Sequence, residues 1–325
     1  MLSTLITVTL QVMVLFLLMS TGFYLTKRKI ITKKGTKQMT DILLMFVTVS
    51  VVINSFSSTK FDTGKLTYLL IMAIFAVAIH IAGLVIGLAI SKKSTEKSKS
   101  VICTAVIFSN AGYMGVPLTQ AVVGASGVFY SAVYITVFNI FLWTVGVVLF
   151  SPKNEKLSIK KVLINPGTIG ILIGLPIFLL SGNDAFINST FMDFSQKYIL
   201  YAPGKTIEML SWLNTPLAMI IIGSQIAGVD FKTFLQDKRV LLVSAIRLIL
   251  IPALFFVPIA LVANDFSFAA ACIISASAPC ATVTSLFAAK YRKDTEFAAK
   301  AVAFSTLCSI LTMPVFVTLM KEIIH

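Results

Sequence analysis

A polar segment, SNAGYMGVPL, begins at Ser109 inside a stretch that is otherwise apolar. Ser109 supplies a hydroxyl, and Asn110 supplies an amide whose NH₂ group can donate two hydrogen bonds. Gly112 and Gly115 lower the cost of leaving helical geometry, and Pro117 removes a backbone donor. These residue types predict a broken helix. Its free N–H groups and side-chain amide would suit an anionic ligand.

A second segment, SASAPCATVTS, has the same character around Pro279. The hydroxyl-bearing candidates beside this proline are Ser277, Thr282 and Thr284. Two broken helices at matching positions of a membrane chain are the sequence pattern of a transporter binding site. The alternative is that these small residues only allow helices to pack closely.

Both breaks are predicted to lie deep in a membrane. Asn110 follows Lys99 by eleven residues, and Pro279 precedes Lys290 by eleven. At the rise of an α-helix this spacing is about 16 Å, close to the middle of a hydrocarbon core that is about 30 Å thick. Unwound backbone at that depth must be buried in protein or line a wet cavity.

The elements that would hold these segments are membrane spans. The chain is 57% hydrophobic and only 12% charged, whereas soluble domains are about a quarter charged. Apolar stretches long enough to cross a bilayer occur near residues 4–26, 37–56, 66–90, 100–123, 127–150, 161–181, 203–228, 239–263, 267–289 and 296–320. The prediction is an all-α integral membrane protein with ten transmembrane helices and no soluble domain.

The basic residues predict the topology. Of the 27 Lys and Arg residues, 21 fall in the loops after spans one, three, five, seven and nine. Short loops rich in Lys and Arg stay in the cytoplasm, so both termini should lie on the extracytoplasmic side of the cell membrane. The net charge of +14 then reflects topology next to a lipid bilayer, and no nucleic-acid partner is expected.

Ten spans with both ends on one side allow two halves of five spans that insert with opposite orientation. Residues 1–150 would form the first repeat, 151–160 a cytoplasmic connecting loop, and 161–325 the second repeat. A shift of 167 to 168 residues aligns Asp41 with Glu208. Such an inverted repeat is a common plan for secondary transporters.

Polar groups inside the spans are functional candidates because burying them in lipid is costly. Arg247 could neutralise a substrate carboxylate, cap backbone carbonyls at the crossing, or extend its side chain to the surface. His80 could carry a proton or be structural. Asp41 and Glu208 are further proton-coupling candidates, although helix-end solvation also explains them. Asn139 could line a cavity or bond between helices.

Motifs of catalysis are missing from the sequence: there is no His-Glu-x-x-His, Gly-x-Ser-x-Gly or Walker motif. The two histidines, His80 and His325, leave no cluster for a metal ion. The four cysteines all fall inside predicted spans, where they act as small apolar residues. We therefore expect no enzyme activity, no cofactor and no metal site.

Six segments, in this order, resemble the auxin efflux carrier (AEC/PIN-like) family, which belongs to the bile-acid/auxin transporter superfamily. They are SNAGYMGVPL, LINPGTIGILIGLP, NTPLAMIIIGSQIA, RLILIPAL, SAPCATVTSLFAAKY and FSTLCSILTMPVF. The family includes plant PIN proteins and bacterial organic-acid permeases, and the resemblance covers most of the chain.

The resemblance implies that helices four and nine are broken and cross each other. It implies a scaffold from residues 4–56 and 161–228, which forms a homodimer, and a transport domain from 66–150 and 239–320, which moves like an elevator. It further implies that Asn110 contacts the substrate carboxylate.

Two departures from the family bear on the substrate, and a third feature bears on the coupling ion. The segment from Cys280 to Thr284 lacks the amide that plant members carry after the ninth-span proline, and residues 151–160 are short where plant members have a long loop. No acidic residue lies between Asp265 and Asp294, so the sodium site of the wider superfamily is expected to be missing. The chain resembles a bacterial member, for which dicarboxylates such as malate are expected rather than auxin.

The predicted function is a secondary active transporter of small organic anions, mono- or dicarboxylates such as malate. A membrane receptor or sensor for a carboxylate and an anion channel are the alternatives. The predicted substrate-binding residues are Ser109, Asn110, Gly112, Gly115, Pro117, Asn139, Arg247, Ser277, Pro279, Thr282 and Thr284.

Overall fold

The structure is a computed structural model that describes residues 2–150, 166–182, 201–228 and 236–324. Helices make up nearly all of these residues, and no strand occurs among them. The all-α class that the composition predicts is therefore confirmed for the described part of the chain.

The described helices are numbered here in chain order. They are α1 (Leu2–Lys27), α2 (Lys33–Ser57), α3 (Thr63–Ser91), α4 (Glu96–Ile107), α5 (Ala111–Phe150), α6 (Pro166–Leu180), α7 (Tyr201–Ile226), α8 (Lys238–Val262), α9 (Phe266–Ser277), α10 (Val283–Lys290) and α11 (Thr295–Ile324). Seven of them, α1, α2, α3, α5, α7, α8 and α11, are long and apolar enough to cross a membrane. Two shorter apolar helices are α6 and α9. The chain is thus a multi-pass membrane protein.

The fourth and ninth apolar stretches are each divided. The chain leaves helical geometry between α4 and α5, and again between α9 and α10. Within α5, Gly124 has a positive φ of 68°, a conformation that glycine adopts without strain. The chain bends there, at the predicted boundary between the fourth and fifth stretches.

Pro117 lies beyond the first break, inside α5. The break itself falls at residues 108–110, and a π-helical turn, Ala111–Gly115, follows it. This wider turn relieves the clash between the proline ring and the preceding carbonyls. Pro279, by contrast, lies within the second break, as its sequence context predicts.

Glycines bring α1 and α7 into backbone contact. A Cβ atom on Gly223 would lie 1.8 Å from the carbonyl oxygen of Met19, and one on Gly22 would lie 2.1 Å from that of Ile220. Close approach through small residues is how membrane helices gain packing energy, because lipid gives no hydrophobic drive for helix association. The two helices therefore form one rigid pair.

Two further helix pairs also pack closely at a glycine. On α6, a Cβ atom on Gly174 would lie 2.8 Å from Cβ of Phe56 in α2. On α3, one on Gly83 would lie 2.9 Å from Cα of Ile107 in α4. The end of α4, just before the first break, is thereby held against α3.

Gly223→Ala should lower the melting temperature of the detergent-solubilised protein, because overpacking a tight contact costs about 1–3 kcal/mol. Gly204→Ala is the matched control: no atom lies within 4 Å of a Cβ placed on Gly204, and alanine favours a helix over glycine. Thermal unfolding followed by circular dichroism checks both. Equal melting temperatures for the two variants would contradict the close contact.

Candidate functional site

The two breaks meet as a short antiparallel pair of backbone segments. The N–H of Asn110 donates to the carbonyl of Pro279 at 2.7 Å, and the N–H of Ala281 donates to the carbonyl of Phe108 at 2.9 Å. These bonds satisfy backbone groups that a broken helix leaves without partners. The broken helices therefore cross at a defined point.

Ser109 and Cys280 face each other at the centre of this pair, and each is bonded to a residue 25 positions later. The Ser109 hydroxyl lies 3.1 Å from the hydroxyl of Tyr134. The backbone N–H of Cys280 donates to Oγ of Ser305 at 3.1 Å. The two halves of the chain thus support the crossing in corresponding ways, from α5 and from α11.

Arg247 braces the second break from α8. Its side chain is fully buried; Nε donates to the carbonyl of Ala278 at 3.1 Å, and Nη2 donates to those of Ala276 at 2.7 Å and Ser275 at 3.4 Å. These carbonyls end α9 and carry partial negative charge. Of the roles that the sequence allows for Arg247, the structure has the one that caps carbonyls.

A cavity of about 350 Å³ opens beside the crossing. Its walls come from α2, α5, α6 and α10. Within the described part of the chain, no Lys, Arg, His, Asp or Glu lines it. The described lining residues are Leu44, Thr48, Ser109, Asn110, Gly112, Tyr113, Ile135, Phe138, Asn139, Leu142, Trp143, Pro166, Gly167, Ala281, Thr282, Val283, Leu286 and Phe287.

The end of the cavity at the crossing is rich in hydrogen-bond donors. The amide nitrogen Nδ2 of Asn110, a residue only 3% exposed, has no hydrogen-bond partner among the described residues. The starts of α5 and α10 form part of this wall, with Thr282 at the N-terminus of α10. The first N–H groups of a helix lack intrahelical partners and carry partial positive charge. A negatively charged group fits this end.

The opposite part of the cavity is apolar and aromatic. One face of α5 contributes Ile135, Phe138, Asn139, Leu142 and Trp143. These residues recur at the i, i+3, i+4, i+7 and i+8 positions of a helix face. Of these five residues, only Asn139 is predicted from the sequence to bind substrate. The periodicity around it is the signal that would have found the other four.

The structure brings five of the predicted binding residues to the cavity and places the others behind it. Those that line the cavity are Ser109, Asn110, Gly112, Asn139 and Thr282. Those that are buried without lining it are Gly115, Pro117, Arg247, Ser277, Pro279 and Thr284. The second group includes Pro279 of the crossing and Arg247, which caps carbonyls there. These residues affect the shape of the site.

The three predicted proton-coupling residues do not line this cavity. His80 is fully buried; its Nδ1 lies 2.6 Å from the carbonyl of Ala76, to which it must donate, and four aromatic rings surround it. Glu208 forms an ion pair with Lys205 at 2.9 Å. Asp41 is exposed on α2. Their part in proton coupling stays a prediction.

A second cavity, of about 320 Å³, shares Thr282 and Leu286 with the first. Its remaining walls come from α1, α2, α7 and α11. The short helix α10 therefore borders both cavities.

Helices broken at mid-membrane depth, with a cavity at the break, are typical of the class of secondary transporters. The family described as Membrane transport protein matches residues 7–317. The chain therefore belongs to this family of membrane transporters, the auxin efflux carrier family that its motifs resemble. The family is one of transporters and not of enzymes. No curated protein matches the chain significantly.

Arg247→Lys should destabilise the protein almost as much as Arg247→Met. An ammonium group cannot reproduce the planar fork that spans three carbonyls, and each hydrogen bond to a charged group contributes about 1.5–3 kcal/mol. The melting temperature in detergent measures the loss. Lys238→Met, nine residues earlier on α8 and exposed, is the control and should change it little. Full stability of Arg247→Lys would show that charge alone suffices.

Proposed function

We propose that this chain is a secondary carrier of small organic anions that binds its substrate where the cavity meets the crossing. The observation on which this depends is the buried amide nitrogen of Asn110, which has no partner among the described residues and belongs to the cavity wall. A buried donor without a partner costs about 1–3 kcal/mol. A bound carboxylate would remove that cost.

The cavity lining favours a monocarboxylate with an apolar body over a dicarboxylate such as malate. One end offers hydrogen-bond donors, while Phe138, Trp143 and Phe287 line the remainder. A second carboxylate would enter this apolar part without a cation beside it, because none of the described residues that line the cavity is basic. Burying an unpaired charge is strongly unfavourable.

The packing supports a transport domain that moves against a scaffold. At the starts of α4, α8 and α11, Ser98 donates to Asp294 at 2.7 Å, and Arg239 donates to Ser98 at 3.1 Å. This contact joins parts of residues 66–150 and 239–320. The glycine contacts of α1 with α7 and of α2 with α6 join parts of residues 4–56 and 161–228. Cavities separate α10 from the second group, which leaves space for motion.

Two regularities support a 5+5 inverted repeat. In a 5+5 repeat, α1 corresponds to α6 and α2 corresponds to α7. The α1–α7 pair therefore corresponds to the α6–α2 pair, and both pairs are closely packed. His80 and Arg247 are 167 residues apart, the offset that aligns the halves, and they lie against the first and second breaks respectively. A duplicated unit would produce both.

The cavities favour an inward-facing state. Leu286 and Phe287 line the cavity at the crossing and lie near Lys290, at the end of α10. The distribution of basic residues predicts that this end faces the cytoplasm. Towards the other ends of α2 and α5, Val52 and Val128 line a space of only about 10 Å³. Alternating access would close the first and open the second.

Counter-flow in proteoliposomes tests the proposal. Vesicles loaded with cyclohexylacetate, indole-acetate, lactate, malonate or malate should show saturable exchange, fastest for the apolar monocarboxylates. Saturable binding without flux would favour the receptor alternative, and flux without saturation would favour the channel. A second internal pH tests proton coupling through His80, Asp41 or Glu208.

Asn110→Ala should reduce the apparent affinity for transported carboxylate by about 10- to 100-fold, because a hydrogen bond to a charged group contributes about 1.5–3 kcal/mol. The change removes one amide and little volume, so the protein should still fold. Asn54→Ala is the control, since Asn54 lines none of the three cavities described here. Unchanged uptake by Asn110→Ala would contradict the proposed site.

A further inference from the structure

We propose that Tyr134, which does not itself line the cavity, is a positioning residue. It transmits the electrostatic influence of Arg247 to the cavity wall, a role that is called the relay below. Through the hydrogen bond to Ser109 it would orient that hydroxyl as a donor to the substrate. This inference rests on the proposed function, since it names what makes the same site select an anion.

Two polar side chains, Tyr134 and Arg247, lie behind Ser109 in the interior. Tyr134 of α5 is fully buried, and its hydroxyl lies 3.1 Å from that of Ser109. The guanidinium of Arg247 interacts electrostatically with the phenol of Tyr134, and its buried Nη1 has no hydrogen-bond partner among the described residues. Of the three residues, only Ser109 lines the cavity.

The chemistry of these groups gives the contact a direction. The guanidinium is a cation, so it attracts the lone pairs of the Tyr134 phenol oxygen and repels the phenol proton. The phenol has a single proton, which is then directed to Oγ of Ser109. Because Oγ accepts that bond, the Ser109 proton is left to donate into the cavity. The buried cation thereby determines that the hydroxyl at the cavity wall acts as a donor.

Two side-chain donors would then meet at the polar end of the cavity, the hydroxyl of Ser109 and the unpartnered amide of Asn110. Hydrogen bonds that follow one another polarise each other, and in a low dielectric this effect is strong. An anion would be attracted by the charge of Arg247 without contacting that residue. An uncharged ligand of the same shape would gain much less.

Among the described residues, the second break has no counterpart of the Ser109 hydroxyl, which bonds to Tyr134 and lines the cavity. There Oγ of Ser305 accepts from the backbone N–H of Cys280, and Cys280 does not line the cavity. The carboxylate would therefore bind on the α5 side of the crossing, next to Ser109.

Intrinsic fluorescence can measure binding without transport. The chain has two tryptophans: Trp143 lines the cavity, and Trp212 is exposed on α7. In a Trp212→Phe background, titration with cyclohexylacetate reports binding at Trp143, since this probe does not absorb near 280 nm. Its uncharged analogue, 2-cyclohexylethanol, reports the contribution of shape alone.

Tyr134→Phe should raise the dissociation constant for cyclohexylacetate about tenfold, the effect of one charge-assisted hydrogen bond, and change that for 2-cyclohexylethanol by no more than about twofold. Ser109→Ala should give the same selective loss, and the double variant should lose no more than either single one, because both act through one contact. Tyr130→Phe is the control: this buried tyrosine of α5 donates to Asp265 at 3.1 Å and does not line the cavity.

Equal losses for the charged and uncharged probes would assign Tyr134 a packing role and overturn the relay. Additive losses in the double variant would also overturn it. If the protein binds cyclohexylacetate and Tyr134→Phe leaves that binding unchanged, the relay fails while the anion site stands. If the Trp212→Phe protein prefers the alcohol to the carboxylate, both fail together.

Discussion

Two backbone hydrogen bonds at the crossing, from Asn110 to Pro279 and from Ala281 to Phe108, are the interaction on which the rest of the site depends. A chain that leaves helical geometry inside a bilayer has no water to satisfy its N–H and C=O groups, so the protein must do so. Each break meets that need partly with the other. Arg247 satisfies three further carbonyls at the end of α9. The unwound segments, the brace and the cavity are thus consequences of one constraint.

The same crossing explains why a cavity forms beside it. Helices that start at mid-membrane present their first N–H groups to one side and cannot be covered there by further helix. The α1–α7 and α2–α6 pairs are closely packed through glycines, whereas α10 borders two cavities. Tight contacts within groups of helices and open space between them are what a carrier needs, because its binding site must be reached from alternate sides of the membrane.

Charge in the interior is arranged so that no charged side chain of the described residues lines the cavity. The permanent cation of Arg247 is neutralised in part by helix-end carbonyls, and it lies behind the cavity wall. A carboxylate would then meet neutral donors, Asn110 and Ser109, whose strength increases with burial. The proposed site would bind an anion without holding it as tightly as a direct ion pair would, which suits a protein that must also release it.

The sequence by itself determined the class of the protein, the apolar stretches that become helices, the two breaks and the polar residues Ser109, Asn110 and Thr282 at the cavity, because hydropathy, proline and glycine act locally along the chain. It left open whether Arg247 contacts a substrate or backbone carbonyls. It also predicted that Pro117 lies in the first break, whereas in the structure the break ends before Pro117. It did not distinguish Tyr134, Trp143 or Phe287 from ordinary apolar helix residues. Only the tertiary structure decided these points, because they depend on contacts between α5, α8 and the two breaks, which are far apart in the chain and become neighbours only when the helices pack.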